Sequence, residues 1–507
     1  EALDANTTGA DNTAVGKASL GANTTGAHNT AFGKATLQAN TTAANNTAVG
    51  SESLLANTTG YSNTAVGKSA LGANTTGHRN SAFGKDSLDA NTTGYYNTAV
   101  GEASMGANTD GHSNTAVGHD ALLANTTGDE NVAVGNGALT TNTTANANTA
   151  FGTNALRLNT TGADNTAVGK SALDANTTAI RNTAVGSLSL DANTTGARNA
   201  ALGYATLSSN TTGQYNTAIG DIALQYNTTA SYNTAVGLGA LEANTIGSHN
   251  TAIGAESLDS NVDGNHNVAV GFGSLTVLDP ASAVNMYNTA VGSGSGQGVT
   301  TGLRNTLIGG LAATHGGDLS TGSDNICIGY DNGAQPTGAN QIVIGTGFVT
   351  AGDNDFSFGK ASNVVTNDFD ADANWSRSSD ERLKKNITNQ TLGLNFINDL
   401  RTVKYNWKPN GELDANDAQL AHLRKEDDDG SIINNMNTDV TMHNFIAQEV
   451  KTALDTAGVS EFGGWKEDQY GVQQVSREMF VIPLVKAVQE LSTALDAALA
   501  RIATLEG

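Results

Sequence analysis

Cysteine is nearly missing from this chain of 507 residues: only Cys327 is present, so no disulfide framework can form within it. Aromatic residues make up 5% of the composition, which leaves any hydrophobic core thin. No apolar run reaches the length of a membrane-spanning helix, and Glu1 opens no secretory signal. Basic residues are scarce too. The formal charge of −23 argues against nucleic acid or membrane insertion as the chain's business, because phosphate recognition needs a basic surface.

What the chain does have is a period. Asn12-Thr13-Ala14-Val15-Gly16 returns every 17 residues, sixteen times without insertion, down to Asn267. Aligned on the leading Asn, the copies show Ala at the third place, an apolar residue next, then Gly, and Leu four places on. A second Asn column, Asn23, Asn40, Asn57 and onward, usually opens Asn-Thr-Thr-Gly. A fixed period of this size signals stacked coils rather than a globular core, and 17 residues suffice for one coil of a β-solenoid.

The repeat predicts two short strands and two turns per coil, with Gly and Asn supplying left-handed turn conformations. Alternation along Thr13-Ala14-Val15 puts Ala14 and Val15 on opposite faces. The expectation is that Val15 and Leu20 fill the interior and that the Ala column faces a close neighbour. A narrow coil encloses little volume, so three chains burying one another's flanks are expected: a mainly β, trimeric β-solenoid. At about 4.8 Å per coil, sixteen coils make a shaft roughly 75 Å long.

This repeat resembles the head repeats of trimeric autotransporter adhesins. Over residues 1 to about 360 the resemblance implies trimers built from left-handed parallel β-rolls, with an interwound triple β-helix as the other possible arrangement.

After Asn267 the spacing lengthens, and the signature returns at Asn288, Asn305 and Asn325. The inserted residues, such as Leu278 to Ala281 and Thr314 to Asp318, read as loops that either bind or close the shaft. Cys327 falls in the column that is Ala elsewhere and reads as a small buried residue, with an inter-chain thiol contact as the alternative. Asn-Thr-Thr also matches the glycosylation sequon, although a ladder of turn asparagines explains the same column. The last two positions of each repeat vary most. Tyr61, His78, Arg79, Tyr95, Tyr96 and His112 would line up there, as candidates for binding a host-surface receptor or polysaccharide.

Near residue 376 the period ends and Lys, Arg, Glu and Trp appear. Ser378-Ser379-Asp380-Glu381-Arg382-Leu383-Lys384-Lys385 opens this part, Leu400 to Lys408 and Phe445-Ile446-Ala447-Gln448-Glu449-Val450 follow, and Ile482 to Leu491 leads into the end. These strings resemble the endosialidase-type intramolecular chaperones that end many phage tail fibres and tailspikes. The resemblance implies a small α/β chaperone that cleaves itself between Ser379 and Asp380. Ser379 would be the nucleophile and a neutral Lys384 the base, with Arg382 and Lys385 as the neighbouring charges that lower its pKa. His443 reads as a structural histidine. The acidic run Lys425 to Gly430 lacks the spaced ligands of a calcium loop, so neither a metal nor a cofactor is expected.

A heptad seam runs through Val481, Leu484, Val488, Leu491, Leu495, Ala498, Ile502 and Leu505, the pattern of a coiled coil. Identical arms in perfect repeat can pair one coil out of step, and a C-terminal trimer would set their register before the shaft zips up. The organisation expected is a regular shaft over 1–275, an irregular solenoid over 276–375, and a chaperone over 376–507 with its coiled coil at 481–507. The functional expectation is a homotrimeric receptor-binding fibre, located in a virion tail or otherwise extracellular, with its anchor upstream. A bacterial cell-surface adhesin is the second reading, and a polysaccharide-cleaving tailspike is disfavoured because no repeated carboxylate pair suits glycoside hydrolysis.

Overall fold

The computed structural model describes residues 1–350, 352–368, 372–377, 381, 384–426, 430–434 and 438–506, and of 372–377 the backbone alone. Calls on Ser379, Asp380 and Arg382, and on Asp427 to Asp429 of the acidic run, lie outside the described residues. Two compact units divide between Ser378 and Ser379.

In the first unit every copy of the repeat forms one three-residue strand, from Thr13–Val15 through Ile326–Ile328, and Ile342–Thr346 and Asp355–Lys360 continue the series. Each strand pairs in parallel with the next one in the chain, Thr13 with Thr30 and Val15 with Phe32. The series runs without a break through Ile342 paired with Phe356. Each strand's ladder partners are the strands one coil before and one coil after it, which is the pairing of a roll. Asn363–Asp368 then turns back antiparallel and ends the parallel stack.

The coil has one strand where two were expected, because the Leu column leaves the extended region. Leu20, Leu37 and their counterparts through Leu275 hold φ between 49 and 54°, a left-handed conformation that Leu adopts at a cost of about 1 kcal/mol. That conformation turns each Leu into the coil, where it is fully buried. Burial returns about 2 kcal/mol per side chain, enough to hold the strained turn. Glycine is required once per coil by backbone crowding: Gly118 has φ +137°, and a Cβ there would stand 2.5 Å from the Gly135 carbonyl oxygen.

Leu20 and its column lie inside as expected, but the two faces of the strand are the reverse of the expected ones. The Ala column is buried from Ala31 to Ala290, whereas Val15, Phe32 and Phe151 on the same strands are 47%, 56% and 56% exposed. An interior bounded by Leu on one side has room for a methyl on the other and none for a phenyl ring. Where the column continues as Leu307, Cys327 and Val343, it stays buried. Cys327 is thus a core residue, and burial pushes its thiol up to about 12.

Both Asn columns are buried, and they act through their side chains rather than through left-handed backbone. Asn125 Nδ2 donates to Asn108 Oδ1 at 2.8 Å and to the Gly128 carbonyl at 3.0 Å, while Asn125 Oδ1 accepts from Asn142 Nδ2 at 2.9 Å. In the other column Asn63 Nδ2 donates to the Gly77 carbonyl at 2.9 Å, and its backbone N–H donates to Asn46 Oδ1 at 3.0 Å. Each amide closes its own turn and clamps the next coil. The sequon asparagines are therefore sealed inside the folded shaft. The inserted segments also feed this core, since Leu278, Met286 and Leu319 are fully buried.

The second unit contains α1 (Leu394–Asn398), α2 (Ala447–Thr456), α3 (Val481–Glu506) and two antiparallel pairs, Val403–Tyr405 with Met442–Asn444 and Trp465–Glu467 with Gln473–Val475. Its core is small and aromatic, with Phe396, Val450, Leu454 and Phe480 buried and Phe445 and Phe462 packed against them.

Candidate functional site

The elements of the second unit are tied together by a few polar contacts. The N–H of Leu394 donates to Glu490 Oε2 at 2.8 Å, which fastens the start of α1 to α3. Arg401 grips Glu449 in the first turn of α2 with both ends of its guanidinium, Nε reaching Oε2 at 3.1 Å. Both pairs hold the acids ionised: the Leu394 amide holds Glu490, and Arg401 holds Glu449, below the usual carboxylate range. A groove of about 680 Å³ opens beside α2, lined by Tyr405, Trp407, Leu420, Phe445, Val472 and Val475. The sequence strings located the strand and helix edges of this groove but not the cavity between them.

Of the predicted cleavage residues, Lys384 and Lys385 are described, and both are exposed. The Lys384 backbone N–H donates to the Glu381 carbonyl at 3.0 Å. His443 is exposed on its strand, where its carbonyl accepts from Arg477 Nη1. Helix α3 is continuous over the heptad seam, and Leu484, Val488, Leu491 and Leu495 are each half exposed or more. The seam is thus an exposed apolar stripe along one helix of the described residues.

Residues 379–459 match the family model for the chaperone of endosialidase. Over that stretch the C-terminal module is similar to that family. Domains of this family are self-cleaving chaperones, so autoproteolysis fits the module in general terms. With about twenty solenoid turns preceding it, the whole fits a tail-fibre-like protein that carries a C-terminal chaperone. No curated protein and no solved structure matches the chain.

The shaft offers a second candidate. Tyr61, His78, Tyr95 and His112 stack face to face, with ring centroids 4.8, 5.2 and 4.7 Å apart. Beside them, the Arg79 guanidinium lies 5.2 Å from the Tyr96 ring centre, and Tyr96 meets Tyr95 edge-on. His112 closes the row against Asp129, Nε2 to Oδ2 at 3.3 Å. A second row begins at Tyr215 and Tyr232, which the sequence places at the variable end of the repeat, and continues through His249, His266 and Tyr287, stacked at 4.8 to 5.0 Å in the neighbouring column. Only equal spacing at the last position of each repeat could have disclosed it.

Stacking changes what these rings can do. Their faces are occupied by one another, each contact contributing about 1 kcal/mol to the stack. What remains outward are ring edges, phenol hydroxyls and imidazole nitrogens. A polymer lying along the shaft would meet hydrogen-bonding groups about 4.8 Å apart rather than flat platforms.

Proposed function

We propose that the chain is a homotrimeric, receptor-binding fibre of the phage tail-fibre kind, working outside the cell. Its C-terminal chaperone brings three chains together and then cuts itself off between Ser379 and Asp380. The observation that carries this reading is the chaperone-type module directly following a long repetitive solenoid. A shaft of identical coils has a register problem, and a trimerising module with an open heptad seam answers it.

In the proposed cleavage, Ser379 Oγ attacks its own carbonyl carbon and Lys384 takes the proton. The Asp380 amine leaves, and the resulting ester is hydrolysed by water. A lysine can serve as this base only when neutral, and Lys384 is exposed in the single chain. Partner chains packed around the cleavage site would favour the neutral form by desolvation, so that cutting follows assembly. Receptor contact falls to the outward edges of the stacked rings, with a host-surface polysaccharide or receptor as the ligand.

Denaturing electrophoresis of the wild type beside Ser379→Ala tests the scheme. Two fragments are expected from the wild type and one full-length band from the variant, with a native mass of three chains before the cut. Identical patterns for the two proteins would refute it.

A further inference from the structure

The outward column of the shaft is apolar on every rung. From Val15 through Phe32, Val100, Leu202 and Ile253 to Ile344 and Phe358, the ladder position that Val15 begins never carries a polar side chain, while the position two residues before it, usually Thr, borders it on the same outward face. These side chains are well exposed, Leu202 by 49% and Ile344 still by 40% near the far end of the stack. An apolar stripe of about twenty rungs extends far beyond the scattered patches that soluble chains tolerate.

We infer that this stripe is the seam on which a second copy of the chain docks, parallel and in register. The inference rests on the homotrimer reading above and names the face that forms its contact. Three features commit the occupant to a copy of this chain. The stripe follows the strand ladder over its whole length, and another copy has the same rise per coil, so its rungs meet these one for one. A rotation axis along the fibre keeps equal residues at equal height, which places each rung against itself in the partner. The third feature is the spacing of the largest side chains.

Phe occupies the stripe on the second, fifth, ninth and twenty-first strands, as Phe32, Phe83, Phe151 and Phe358, and Val, Ile or Leu fills the other rungs. The intervals are unequal. With the copies level, all four Phe rungs coincide. Any slip by whole coils leaves at most one Phe pair matched and sets the other rings against smaller side chains. The seam thus carries its own register marks, independently of the C-terminal module.

Disulfide trapping on the full-length chain tests this. Cys327 is fully buried, so an introduced thiol reports alone. Val100→Cys should give inter-chain disulfides on oxidation, at several times the yield of Thr127→Cys, which places an exposed thiol on the Asn-Thr-Thr turn of the same coil stack. Co-expressed Phe32→Cys and Val100→Cys chains, four rungs apart, should link like with like. An oligomeric native mass without Val100→Cys cross-links would overturn the seam and leave the trimer standing. Mixed Phe32–Val100 links would overturn the register, and a monomeric native mass would overturn both the seam and the fibre reading.

Discussion

The two units solve the same problem by opposite means. The shaft holds itself with polar side chains indoors: two amide ladders, a column of methyls and a row of strained leucines, with aromatic rings pushed to the surface. The C-terminal module gathers its phenylalanines at the centre and leaves a long apolar helix face open. The comparison teaches that repetition can replace hydrophobic bulk. When every coil offers the same amide at the same height, hydrogen bonds are satisfied along the regular ladder, and Asn261 Oδ1 is left without a partner where the 17-residue register ends at Leu278. A unit without repetition cannot arrange this and depends on ring packing.

The sharpest break of the comparison is Gly118→Val. Its Cβ would collide with the Gly135 carbonyl at a left-handed φ, and the stack should lose on the order of 5 kcal/mol locally. Hydrogen exchange should then show unprotected amides over the flanking coils while the C-terminal module is unchanged. Phe480→Ala is the mirror experiment: it removes the ring at the module's centre for about 3 to 4 kcal/mol. Its thermal transition should drop with the shaft's left in place. Asn125→Ala asks whether the amide ladder matters as argued. It takes the donor from Asn108 Oδ1 and one of two partners each from the Asn142 amide and the Gly128 carbonyl, and a loss of about 2 to 3 kcal/mol in a denaturant titration is expected. A neutral result there would mean the ladder is decoration.

The smallest effect concerns acidity, and its sign differs between the units. In the shaft, burial raises the carboxyls of Asp89, Asp191 and Asp259, so their charged forms weaken the fold. That part of the stability is present below the unfolded-state value and is lost as the pH climbs through the raised one. In the module, Glu449 and Glu490 are held low by Arg401 and by the Leu394 amide, so their contribution is present at neutrality and fades as the pH falls toward the lowered values. Between pH 7 and the carboxylate range, circular dichroism melts should show the module weakening while the shaft holds or gains. Parallel shifts in both units would contradict the assignment.

Much of this architecture is legible in the residues, because a period of 17 admits few folds and the composition break near residue 376 is abrupt. The polarity of the coil was not. Alternation says that Ala14 and Val15 face opposite ways but not which way is in, and both are apolar. The discriminating clue is the tolerance of each column. Ala is invariant through sixteen copies, as an interior of fixed width demands, while Val exchanges with Phe, which only open space permits. The left-handed leucines were hidden because Leu is a poor signal for that conformation. At the cleavage site the motif names Ser379 and Lys384, but a reactive lysine depends on its surroundings, which a motif alone does not encode.

The parallel ladder has a mechanical corollary. Its strand-to-strand bonds point along the shaft, so a tug on one end loads them one coil at a time, like a zipper and unlike a sheared sheet. Each 17-residue coil that lets go would pay out about 50 Å of chain. A lone strand of this material would ravel under modest tension in even steps, and sideways bracing along its length would be what turns it into a cable.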